Sequence, residues 1–297
     1  MNLADLAARG QRLREVGPNS AHLETGSCVA QFDACALSPW RYRLAAVISS
    51  SPRALGKPDV LSQRLELARS AREFAPLAAW IEQLRDVRAR SGLMAEVPLM
   101  DPAEAGIEAR VLLLMEAPGP MTNTSNARPG SGFVSSDNDD ATAQNLWNAR
   151  QRAGLYHGAL LWNLVPWYLG PAKKKPAIAD VRQGAHHLRE LITLLPELHT
   201  VVTLGLFARK GWTRFGRPNI GIALRTIDTW HPSQLAMNQA GKREHLEAAL
   251  TRANHDWRDD CEAAGEVQID HDRYGAPVAH WYANRDGDRI DLHPRWW

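Results

Sequence analysis

The sequence predicts an α/β fold on a parallel sheet, and two observations carry that prediction. Four apolar runs of β-type composition, residues 111–115, 160–163, 201–205 and 223–229, are separated by helix-length stretches, the pattern of repeated βαβ units. Short polar loops follow the first and last of them: Glu116-Ala117-Pro118-Gly119 and His231-Pro232-Ser233. Open α/β sheets place their sites at such strand ends. The second run closes on an amide, Asn163, so an amide, a carboxylate and an imidazole are all candidates for one rim.

Taken in order, the first hundred residues read as mostly helical. Apolar positions recur every three or four residues over 60–90, as in an amphipathic helix, with Pro76 expected to break or kink it. Ser91-Gly92 ends the segment, and 98–106 reads as a linker. Residues 118–141 form the longest irregular segment, which in a compact domain is either functional or disordered; its position directly after the first loop favours function. A helix is expected over about 179–195. Near the end, residues 278–292 alternate around Asp286-Gly287, a type I′ hairpin signal. The expected organisation is a helical N-terminal extension (1–105), an α/β domain (106–255) and an acidic C-terminal extension with a hairpin (256–297).

Bulk properties narrow the function. Of 297 residues, 44% are hydrophobic, and no run approaches the ~20 apolar residues of a membrane span. Residues 1–14 carry charges through their apolar positions, unlike a signal peptide, so a cytoplasmic location and no membrane partner are expected. The net charge of +2 is unevenly spread: 106–255 hold 17 basic and 11 acidic side chains, whereas 256–297 hold 5 and 10. The basic middle suits a polyanion such as DNA, and Arg41 and Arg43 near Trp40 could add a DNA-contacting edge. Cys28, Cys35 and Cys261 are odd in number and dispersed, against a disulfide framework.

The loops, the strand ending in Asn163, the Lys173-Lys174-Lys175-Pro176 segment and the terminal His-Pro-Ser occur in an order and spacing that resemble the uracil-DNA glycosylase superfamily. The likeness is closest to the bacterial and archaeal branch whose first motif reads Glu-Ala-Pro-Gly. It implies a three-layer α/β/α sandwich with a central four-stranded parallel sheet, and an enzyme that flips uracil or another modified base out of DNA and hydrolyses its N-glycosidic bond. A monomer needing no cofactor or metal is expected. Members of that branch typically hold a four-iron cluster on four cysteines. This chain has three, and Gly184-Ala185 stands where the family places one in the helix after the lysine loop, so no cluster is expected.

The resemblance also assigns residues. His231 is the first choice for catalysis, as a hydrogen-bond donor to a carbonyl oxygen of the departing base. Asn163 reads the base edge, for which an amide offers both donor and acceptor, and Phe133 supplies the stacking surface. Ala117 stands where the best-known branch carries a water-activating aspartate, so Glu116 is the candidate carboxylate, with Asn123, Asp137 and Asp139 in reserve. Met115 replaces a glycine that precedes the glutamate in the family. Ala117, Pro118 and Gly119 complete the base pocket, Gly119 letting backbone approach the sugar-phosphate chain. Ser233 is the expected phosphate contact, Leu235 the wedge that fills the vacated space, and Lys173, Lys174 and Lys175 a basic DNA-facing loop. The alternative is a protein that keeps the fold and DNA surface but has lost hydrolysis, a reading favoured by Ala117 and Met115 and opposed by His231 and Asn163.

Overall fold

The amphipathic stretch near the start forms two helices, α1 (Pro58–Ser70) and α2 (Ala75–Arg90). The break falls at residues 71–74, where Phe74 is buried, and Pro76 sits in the first turn of α2, where its missing N–H costs no helical hydrogen bond. The computed structural model describes residues 49–93, 96–171 and 175–263, together with strand residues 270–271, 277–278, 281–283 and 289–291. Arg41, Arg43, Lys173, Lys174, Cys28 and Cys35 lie outside the described residues, as does the Asp286-Gly287 turn.

Beyond α2 come β1 (Leu99–Met100), β2 (Val111–Met115), β3 (Phe133–Val134), α3 (Ala141–Arg152), β4 (Ala159–Asn163), α4 (Ile178–Thr193), β5 (Thr200–Leu204) and α5 (Leu206–Gly211). A π-helical turn, Trp212–Gly216, leads on to β6 (Arg225–Thr229), α6 (Gln234–Met237) and α7 (Lys242–Ala263). The four longer strands form one parallel sheet in the order β4-β2-β5-β6. Helices flank it in an α/β/α arrangement: α7 runs against β2, β5 and β6, and α2 reaches β4 through an edge-to-face Trp80–Trp162 contact with centroids 6.0 Å apart.

Burial on both faces explains why the strands were legible as unbroken apolar runs. Val111, Leu112, Leu113 and Leu114 of β2 have no exposed surface, and neither do Val201, Val202 and Leu204 of β5. Each such side chain contributes about 1.5–3 kcal/mol relative to exposure. At the β4 edge, the Ala105 N–H donates to the Ala159 carbonyl at 3.1 Å, and buried Glu104 accepts from the Leu161 N–H while pairing with Arg150. Burial raises the Glu104 pKa and Arg150 opposes the shift. These contacts cover an edge that would otherwise offer unpaired backbone groups.

The segment 118–141 is ordered by its own contacts. A 3-10 turn, Pro120–Thr122, begins it, the Ser131 and Gly130 N–H groups donate to the Met121 and Asn123 carbonyls, and β3 pairs in parallel with β1. Near the C-terminus, β7 (Asp270–His271) pairs antiparallel with β8 (Pro277–Val278), and β9 (Trp281–Ala283) with β10 (Arg289–Asp291). No helix among the described residues is long and apolar enough to cross a membrane.

Candidate active site at the carboxyl edge of the sheet

A parallel sheet in this order aligns the strand ends along one rim: Asn163 after β4, Glu116 after β2, Gly205 after β5 and His231 after β6. Pairing continues past the strands. Asn163 stands opposite Met115, the Leu164 and Val165 N–H groups donate to the Met115 and Glu116 carbonyls at 2.8 and 3.0 Å, and the Gly205 N–H donates to the Thr229 carbonyl at 2.9 Å. The loops are therefore extensions of the sheet rather than loose connections.

His231 is held from three directions. Its Nδ1 accepts the Ser233 N–H at 3.1 Å, so the neutral ring carries its proton on Nε2. The Asn145 side-chain amide of α3 donates to the Pro232 carbonyl at 2.9 Å. Gly205, at φ +101, lies so close that a Cβ built there would sit 2.8 Å from the His231 Cβ; only glycine both tolerates that backbone angle and leaves room for the imidazole. Burial first, and the Lys175 ammonium second, lower the His231 pKa to about 4. At neutral pH the ring is an uncharged donor.

Alternation along the extended chain decides where Glu116 points. Met115 and Ala117 pack against the core, and Glu116 between them accepts from the Lys175 ammonium at 2.7 Å. The Glu116 side chain is 15% exposed and that of Lys175 71%. Lys175, expected on a DNA-facing loop, thus pairs with the candidate carboxylate and acts through its charge on the imidazole, with its ammonium 5.8 Å from the Phe207 ring centroid. Asn163 is 2% exposed and its amide nitrogen is buried with no hydrogen-bond partner among the described residues. Leaving such a donor unpaired costs about 1–3 kcal/mol, a cost that a ligand carbonyl would remove.

The remaining expected residues divide. Ser233 caps α6, its hydroxyl accepting from the Ala236 N–H at 3.4 Å, and Leu235 on α6 is 79% exposed, both on the His231 loop. Pro118 is buried, while Gly119 is exposed with open space around it. Phe133 has no exposed surface. It lies in the separate β1–β3 pair, outside the contiguous apolar core.

The reserve candidates in the long segment are engaged elsewhere. Asp137 is fully buried, 2.5 Å from the Arg64 guanidinium, and accepts from the Ser49 hydroxyl at 2.6 Å; burial and the nearby Asp101 charge push its pKa up. Asp139 pairs with Arg53 and Arg128. Asn123 donates to Glu96 at 2.9 Å and accepts the Ser125 N–H at 2.7 Å. The residues present do not fit an iron–sulfur cluster: a Cβ at Gly184 would lie 2.2 Å from the Leu164 carbonyl oxygen, leaving no room for a cysteine, and three cysteines cannot supply four ligands. Gly205 and Asn145 were not found from the sequence; the only local hint was a glycine closing an apolar run.

No curated protein matches the chain. Among solved structures, it resembles that of wild-type SMUG2 from Pedobacter heparinus at 14% identity, over 51% of this chain and 77% of that one, with a TM-score of 0.34. Residues 102–255 match the uracil DNA glycosylase superfamily, a span that contains all four strands of the main sheet and every rim residue just described. Since that match covers more than half of the 297 residues, the chain belongs to the uracil DNA glycosylase superfamily.

Proposed function

We propose that this protein is a monofunctional DNA glycosylase, acting as a monomer, that flips uracil or another modified base into the rim of its sheet and hydrolyses the N-glycosidic bond. The observation that carries the reading is a neutral imidazole with its proton on Nε2 at the same strand-end rim as a buried, unpaired asparagine amide. Family membership supplies the coarser part, since proteins of this superfamily act on DNA.

Cleavage of the bond leaves its electron pair on the base and positive charge on the sugar. The Asn163 amide donates to the pairing edge of the extruded base, and its burial makes that bond selective. The His231 Nε2–H donates to the carbonyl oxygen on which the anion develops. A neutral donor of depressed pKa does this without surrendering its proton. Water forms the new bond to the sugar carbon and passes a proton to Glu116, whose carboxylate also faces the sugar's positive charge. For that, Glu116 must be freed from Lys175. The Lys175 end of the pair is 71% exposed, so a DNA phosphate can reach the ammonium and take it. Ser233 and Leu235 then contact the backbone and fill the gap in the stack.

Purified protein incubated with uracil-containing oligonucleotide, followed by alkali, should yield strand breaks at the target. A panel of modified bases extends the assay. A second reading, a DNA-binding protein that does not hydrolyse, draws on Ala117 and on the closed Glu116–Lys175 pair. Binding without release of any base in the panel would select it.

A further inference from the structure

Eight large hydrophobic side chains are more than a third exposed among the described residues, and three of them, Leu206, Trp230 and Leu235, follow the carboxyl ends of β5 and β6. Leu235 already has a part in the proposed reaction as a wedge. Trp230 has none, although it directly precedes His231 and is 42% exposed at the free edge of the sheet. The Lys242 ammonium lies 3.8 Å from its ring centroid. Lys242 is itself tied to the wedge: its N–H donates to the Gln239 carbonyl at 3.3 Å, and the Gln239 side chain donates to the Leu235 carbonyl at 3.1 Å.

We propose that Trp230, held by Lys242, is a stacking platform for a nucleobase of the DNA strand beside the extruded nucleotide. A cation over an indole fixes the plane of the ring, and an exposed indole next to positive charge is the combination that grips single-stranded nucleic acid without regard to sequence. An apolar protein partner would instead meet a surface interrupted by ammonium groups. Stacking here places the grip one residue from the His231 backbone, so seating of the flanking base and positioning of the imidazole are coupled. The inference rests on the glycosylase reading only for the identity of the extruded nucleotide.

The test uses the full chain and a fluorescein-labelled oligonucleotide carrying a tetrahydrofuran abasic analogue, with 2-aminopurine on one side or the other. Trp230→Ala is expected to bind about 5- to 100-fold more weakly and to lose the change in 2-aminopurine fluorescence on one side of the lesion. Trp230→Phe should recover most of the affinity, and Lys242→Ala should lose a smaller part. Unfolding midpoints equal to the wild type's exclude misfolding as the cause. Equal affinity of wild type and Trp230→Ala, or equal loss in the Phe and Ala variants, would overturn the platform alone. A Trp230-dependent grip with no base released from any substrate would leave the platform standing and retire the glycosylase reading. Failure of the wild-type chain to bind the probe would retire both.

Discussion

Two polar regions of this molecule are built on opposite terms. Around Arg64 and Asp137, and again around Arg150 and Glu104, buried charges are answered by charges of the same chain. Along the rim, the Asn163 amide nitrogen is buried without a hydrogen-bond partner among the described residues, and the neutral His231 ring carries its proton on Nε2. Burial alone separates neither group, for Asp137 and Asn163 are hidden to similar degrees. What separates them is the charge partner: the Asp137 carboxylate is held through Oδ2 by the Arg64 guanidinium and the Ser49 hydroxyl, although its Oδ1 has no hydrogen-bond partner among the described residues, whereas no described group meets the Asn163 Nδ2. Asp137, attractive in sequence as a spare catalytic acid, falls on the scaffold side for that reason.

Substitutions on each side should therefore fail differently. The largest effect is expected on the scaffold. Arg64→Ala strands Asp101 and Asp137 and should cost about 3–5 kcal/mol of stability, measured by denaturant unfolding, with turnover per folded molecule unchanged; lost turnover at full stability would erase the distinction. His231→Ala should reverse the pattern, lowering turnover about 10²- to 10³-fold in single-turnover assays while DNA binding and the unfolding midpoint hold. Asn163→Ala should reduce kcat/KM about 10- to 100-fold with little change in stability, since the amide nitrogen it removes has no partner among the described residues.

The smallest effect sharpens the comparison through pH. Because the His231 pKa is lowered from 6.5 to about 4 in the folded chain, the unfolded chain binds the extra proton first as pH falls from 6.5, and folding is progressively destabilised down to about pH 4. The neutral ring is the active form, so turnover attributable to it per folded molecule holds through that range and falls as pH drops through 4. Lys175→Ala should move this acid limb upward, but only part of the way, because burial is the larger cause. The accompanying loss of stability should be about 1 kcal/mol, since the lysine end of the ion pair is exposed. An unmoved limb would mean that the ammonium does not act on the imidazole.

The strands of the main sheet were legible to within a residue or two because strands buried on both faces leave continuous apolar runs. Asn163 and His231 were legible because they close or follow such runs. The two-residue strands β1 and β3 left no signal, since neither is long enough to show a period. Asn145 sits 87 residues from the carbonyl it holds, and no local pattern encodes so distant a contact. That Lys175, the one beside Pro176, reaches Glu116 is likewise invisible, since nothing in a run of three lysines marks one of them out.

The missing side chain at Gly205 has a consequence for recognising such proteins. The imidazole keeps its place because a neighbouring strand yields the space of one methyl group, so the His-Pro-Ser tripeptide describes only half of the arrangement. Among diverged chains that retain the tripeptide, those with a bulkier residue at the corresponding strand end would keep the signature and lose the geometry. Glycine and histidine read together, a strand apart, make the more discriminating mark.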